Sequence, residues 1–247
     1  MATYYTEGII LKRQNVRESD KIVTIYTKDY GKIQALAKGS RKIKSKLAGS
    51  LEPFFYTRLM LAHGRNIDKI ASSEVIENFS KLREDLSKIN LSSYIVDLLD
   101  RLTKVHHGDT IIFNLLRQTF LVLENKNRIK NEEAKKIKLF FVWRMLSLLG
   151  FQPAIFYCTH CHGQISPEQI IFSFKKGGLV CRLCNPKQEI SDKNIISANA
   201  VKILRIILKK DVKDLMLINV NNNTLDELEA VTYRFSEYVI EDKIPAG

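Results

Sequence analysis

Residues 21–37 read KIVTIYTKDYGKIQALA. Two runs rich in β-branched and apolar residues, Lys21–Thr27 and Lys32–Ala37, flank the short loop Lys28-Asp-Tyr-Gly31. Gly31 can take the positive φ that such a loop needs, so the stretch predicts an antiparallel hairpin. Upstream, Tyr5, Glu7, Ile9 and Leu11 alternate with Tyr4, Thr6, Gly8, Ile10 and Lys12, which predicts a strand before the hairpin. Downstream, Phe54–Ala62 and Asp68–Ile76 are two more strand candidates, with His63-Gly-Arg-Asn66 as their turn. Five short strands joined by turns predict a small antiparallel barrel.

After Asn78 the apolar period becomes helical. Leu82, Leu86, Ile89, Tyr94, Leu98, Leu99 and Leu102 form one stripe, and Ile111 to Leu123 continue it behind Asp109, a natural N-cap. A third helix is expected from about Asn131 to Leu149, with Trp143 on its apolar stripe and Gly150 as its stop. Ala198–Lys209 and Thr224–Asp242 read as two more helices, with 219–223 as a loop. The fold class is therefore α+β. A barrel domain spans 1–79, and a helical domain spans 80–247 with a cysteine module inserted at about 156–188.

Composition bounds the function. The 247 residues carry 39 Lys+Arg against 27 Asp+Glu, a net charge of +12, and 45% are hydrophobic. That apolar fraction excludes intrinsic disorder. Eleven Gly and five Pro exclude a collagen-like chain. The charge is concentrated at the front: residues 1–50 hold 11 bases and 4 acids, whereas residues 191–247 hold 8 bases and 9 acids. No N-terminal apolar run resembles a signal peptide, and no stretch reaches the roughly 18–20 apolar residues needed to span a bilayer. A cytoplasmic protein with reduced thiols is expected.

All four cysteines fall into two C-x-x-C pairs, Cys158/Cys161 and Cys181/Cys184. A two-residue gap lets two thiolates of one tight turn face the same tetrahedral ion, and two such knuckles fill all four positions. One structural Zn2+ per chain is expected. Between the pairs, Phe172–Val180 reads as a β-hairpin turning at Gly177-Gly178 and folding one knuckle onto the other. A thioredoxin-like pair would sit in a βαβ context that is missing here, and disulfides would need an oxidising compartment. Four protein ligands leave no open position for catalysis.

Lys38-Gly-Ser-Arg41-Lys42-Ile-Lys44-Ser-Lys46 places five bases in nine residues between two expected strands. Arg13 and Arg17 lie just before it in the sequence. A basic loop on a small barrel suits a phosphate backbone, which cations bind with strong salt dependence. The alternative for any charge run is a merely solvated loop. No P-loop, H-E-x-x-H or G-x-S-x-G motif occurs. Glu18, Asp20, Glu52 and Glu74 are acids that a metal-dependent nuclease could use, but nothing in the sequence brings them together.

In order along the chain, several segments resemble RecO, the family of bacterial recombinational DNA-repair mediators. They are 6–11 (TEGIIL), 18–24 (ESDKIVT), 27–32 (TKDYGK), 37–42 (AKGSRK), 51–54 (LEPF), 71–74 (ASSE) and 146–153 (LSLLGFQP), followed by the two cysteine pairs with Phe172-Ser and Gly177-Gly178 between them. The resemblance is weak after about residue 190. It implies an N-terminal OB-fold and a helical domain carrying a zinc finger. It also implies binding to single- and double-stranded DNA, strand annealing, and assistance to the recombinase RecA in displacing single-strand-binding protein, together with RecR and in the RecF pathway. Recognition of the C-terminal tail of single-strand-binding protein, a nucleoid-associated location in the cytoplasm, and no enzymatic activity are further implications. The family's basic DNA-binding surface carries over to Lys38, Arg41 and Lys42; Arg13, Arg17, Lys44 and Lys46 join it on charge alone. Two rivals on the same residues are a zinc-ribbon transcription or RNA-binding factor and a metal-dependent nuclease or hydrolase.

Overall fold

The computed structural model describes residues 2–105, 107–165, 170–185 and 195–242. The chain divides into two compact units, Met1–Ile129 and Lys130–Gly247. In the first, strands β1 (Thr3–Val16), β2 (Asp20–Thr27), β3 (Gly31–Ala37), β4 (Tyr56–Ala62) and β5 (Asp68–Glu77) close into a barrel in the order β1-β2-β3-β5-β4. β1 is long enough to serve two neighbours, pairing with β4 over residues 3–9 and with β2 over residues 8–16. All pairings are antiparallel except the closure of β3 on β5, where Ala35 faces Asp68 and Leu36 faces Lys69 in parallel. An odd number of strands in a closed ring cannot alternate throughout, so one parallel pair is obligatory. The alternation read in the sequence directs Ile10, Val23, Ile25, Ile33, Ala35, Leu59, Leu61 and Ile70 into the barrel core.

The expected hairpin is present, with Gly31 at φ +65°. A Cβ there would lie 2.1 Å from the carbonyl oxygen of His107, so no other residue fits the close approach. The fourth strand begins at Tyr56, not Phe54. Phe54 sits in the left-handed region at φ +74°, and its N–H donates to the Ile10 carbonyl. A bend there lets the chain enter the barrel, which an apolar run in sequence could not reveal.

Helix α1 (Leu86–Leu102) starts behind Asp85, which accepts from the N–H groups of Ser87 and Lys88, and α2 (Thr110–Glu124) behind Asp109, which accepts from those of Ile111 and Ile112. Both helices belong to the unit that contains the barrel. Phe120 of α2 meets Phe54 and Phe79 edge-on. Asp100 of α1 pairs with Lys12 and Lys32 of the barrel, each at 3.0 Å. Arg117 of α2 lies over the Tyr56 ring and pairs with Glu77. Those contacts group residues 80–129 with the strands, whereas the change of periodicity alone sets the boundary at 79/80.

The second unit contains α3 (Asn131–Leu148), a small sheet in the order β7-β6-β8 (Gly178–Val180, Ile170–Ser173, Ile195–Ile196), and α4 (Ala198–Lys209), α5 (Val212–Met216) and α6 (Asn222–Asp242). Asn221 accepts from the N–H of Asn223 through its side chain, which starts α6 inside the stretch read as a loop. Phe140, Phe141 and Met145 of α3 are buried as well as the expected stripe, because the helix is covered on most sides. Trp143 is fully buried, stacks on Phe235 with ring centroids 5.5 Å apart, and donates from Nε1 to Thr232 Oγ1 at 2.8 Å. Among the described residues, no helix is long and apolar enough to cross a membrane.

Candidate metal centre and nucleic-acid interface

The β6–β7 hairpin turns at Gly177, and its second strand lies against the chain that leads to Cys158. Ala154 exchanges hydrogen bonds with Gly177 and Leu179, and Thr159 N–H donates to the Leu179 carbonyl at 2.8 Å. This pairing stacks one knuckle on the other. The second closes as a 3-10 turn, Arg182–Cys184, with Cys184 N–H donating to the Cys181 carbonyl. The four sulfurs lie within 4.8 Å of one another, and Cys161 Sγ is 3.9 Å from Cys181 Sγ. A tetrahedral ion with sulfur at about 2.3 Å puts its ligands about 3.8 Å apart, so the cluster has the size of one such ion. All four thiols are free.

The local field suits thiolate ligands. Burial opposes ionisation of Cys158, but N–H donors from Cys161, Cys181 and His160 outweigh it and bring its pKa down to about 6. Hydrogen bonds with the Cys161 and Cys181 thiols, followed by burial, push Cys184 up to about 12. Four adjacent sulfurs cannot all carry charge without a cation among them. A dication removes that conflict by replacing the shared protons. His160 and His162 are exposed and stand outside the four-sulfur cluster.

In the first unit, the stretch after β3 is a series of turns anchored at the barrel rim. Asp20, at the start of β2, is buried and accepts from the Gly39 N–H at 2.7 Å and from Ser19 Oγ at 3.2 Å. The Gly39 bond, aided by the charges of Arg17 and Lys38, holds its carboxyl below the usual range. Gly39 adopts φ +66°, and Arg41 N–H returns to the Ser19 carbonyl at 3.0 Å. Lys38, Arg41, Lys42, Lys44 and Lys46 are all exposed on this stretch. Arg13 and Arg41 line one polar depression of about 580 Å3, together with Asn15, Lys21 and Ser40. Arg13 is paired with Glu52, which also lines it, so part of its charge is neutralised. Arg17 is exposed in the β1–β2 turn at φ +56°. Among the described residues, the four sulfurs are the only group of potential ligands close enough to hold a metal. Glu74 pairs with Arg58 at 3.6 Å.

A model of the N-terminal part of recombination protein O matches residues 1–79, and one of its C-terminal part matches residues 83–246. The chain belongs to the RecO family. The DNA repair protein RecO of Dehalococcoides mccartyi is 32% identical over 238 residues, covering 96% of this chain and 91% of that protein. The namesake from Alkaliphilus metalliredigens is 33% identical over 230 residues, covering 93% of this chain and 91% of its own length. The five-stranded barrel is the OB-like part of a RecO chain, followed here by helices and a four-cysteine cluster.

The RecO resemblance marked Ala37–Lys42 but not what holds it. Asp20, read in sequence as a stray acid, is the residue that fixes the loop. Its spacing of nineteen residues from Gly39 carries no periodic signal, so only the closed barrel reveals the pair. Within the expected zinc-finger range of about 156–188, residues 166–169 and 186–188 lie outside the described residues.

Proposed function

We propose that this protein is a non-enzymatic mediator of DNA recombination and repair. It binds single- and double-stranded DNA through the basic loop of the barrel, anneals complementary strands, and works with RecR to load RecA onto strands covered by single-strand-binding protein. The observation that carries the reading is the match of both RecO models along nearly the whole chain, with the five exposed bases of 38–46 held on the barrel rim. Annealing then makes or breaks no covalent bond. Cations on the protein lower the repulsion between two phosphate backbones, and base pairing supplies the driving force. The four cysteines hold one structural zinc ion, whose role is to fix the fold of the second unit. Contacts with RecR, with the tail of single-strand-binding protein and with the RecF pathway follow from the same family reading, as does a place on the nucleoid in the cytoplasm.

Two measurements test it. Annealing of complementary oligonucleotides, with and without single-strand-binding protein, should be accelerated by the full chain; no acceleration in either condition overturns the reading. The double substitution Arg41→Glu, Lys42→Glu should weaken oligonucleotide binding. The slope of log K on log salt should become shallower by about 1.4, or 0.7 per lost contact on a single strand. An unchanged slope would remove the loop from the interface.

A further inference from the structure

The second unit presents a surface beside the four-sulfur cluster, apart from the barrel loop. An open depression of about 510 Å3 is lined by residues 154–159, His162 and Lys176. Two aromatic rings stand at it in sequence: Phe156 is 40% exposed and Tyr157 is 59% exposed. The two rings are consecutive in sequence, and both reach solvent at this depression. Two cations approach Phe156. Arg205 Cζ lies 5.2 Å from its ring centroid and Lys209 Nζ lies 4.6 Å from it. Arg205 also donates from Nε and Nη2 to the Ile155 carbonyl, at 3.0 and 2.7 Å, so it fixes the backbone that carries Phe156.

The cations continue along α4. Lys202, Arg205 and Lys209 occur at i, i+3 and i+7 and share one helix stripe, while Val201, Leu204 and Ile207 are buried on the other side. The helix ANAVKILRIILK contains no acid. No described carboxylate pairs with Lys176, Lys202 or Lys209. Seven residues of helix span about 10 Å, the length of about three phosphates in a stacked strand. Of the four cysteines only Cys158 lines the depression, and it is fully buried. Lys176 lines the depression, and Arg205 and Lys209 reach it at the Phe156 ring.

We propose that this face is a second contact surface for single-stranded nucleic acid: bases stack on Tyr157 and Phe156, and phosphates lie along Lys202, Lys209 and Lys176. An aromatic step beside a cationic track is how sequence-tolerant binders hold single strands. An acidic peptide would use the same cations, but it would not call for two adjacent open rings. The inference rests on the DNA-binding function proposed above and adds a second point of contact, as a protein that brings two strands together requires.

Photo-cross-linking of the full chain to an oligo(dT) containing iodouracil tests it. Adducts are expected on Tyr157 or Phe156 as well as on the barrel unit. Lys202→Glu with Lys209→Glu should flatten the salt slope by about 1.4. Tyr157→Ala should weaken binding about fivefold or more, and Tyr157→Phe should restore it. Adducts confined to residues 1–129, or a slope and affinity unchanged in all these variants, overturn this surface while leaving the barrel's role standing. Loss of affinity for poly-glutamate with oligonucleotide binding intact would overturn it in favour of an acidic peptide. A wild-type chain that fails to bind oligo(dT) removes both proposals.

Discussion

Asp20 shows how much one buried carboxylate decides. Its oxygen receives the Gly39 N–H, with Lys38 just before that point and four more bases after it. The bond favours the ionised form, so the carboxyl titrates below an ordinary aspartate. Its contribution is complete above the unfolded value near 4 and is lost as pH falls through the lower folded value. Asp20→Ala, which removes the acceptor, should leave the barrel folded but free the loop, and limited trypsin digestion should then cut between Lys38 and Lys46 several-fold faster. An unchanged cleavage rate would show that the turns hold without this anchor. The sequence supplied the bases and the glycine but not their partner. Charge runs are visible in a linear string, whereas a contact across nineteen residues exists only once β2 and β3 have paired.

Elements were legible where periodicity is strong and illegible where the chain bends. Strand alternation marks the barrel core, and Asp109 marks the start of α2. The two C-x-x-C pairs foretold the cluster because metal geometry demands that spacing. The start of β4 was misplaced because Phe54 and Phe55 are apolar without being in a strand. Residues such as Lys32 also gave no sign of their role: it reaches from β3 to both the carbonyl and the carboxylate of Asp100 in α1. Asp100 is partly buried, yet the two lysines outweigh that burial and lower its pKa. Asp100→Ala should therefore cost about 2 kcal/mol, read as a shift of the urea midpoint of the first unit. No shift would mean that solvent replaces the pair without loss. In the other unit, Cys181→Ser should reduce bound zinc to well below one per chain and destabilise the fold by about 3 kcal/mol. Full metal content in that variant would exclude a four-thiolate site.

At the scale of the molecule, the five-base loop and the four-cysteine cluster lie in different compact units. The four cysteines all lie in Lys130–Gly247, while the five-base loop lies in Met1–Ile129. Removing the metal with a chelator should raise amide hydrogen exchange around 154–181 and in α3, α4 and α6, with residues 2–129 little changed. Equal deprotection of both units would deny them independent stability. Periodicity changes near residue 79, but aromatic and ionic contacts tie the next two helices to the strands, and such contacts leave no trace in a pattern of apolar spacing. Trp143 is the only tryptophan in the chain, and it is sealed against Phe235 inside the unit that holds the cysteines. Nature has thus left an indole probe in one half alone: emission excited at the red edge, where tyrosine does not absorb, reports on the cysteine-bearing unit without a contribution from the barrel.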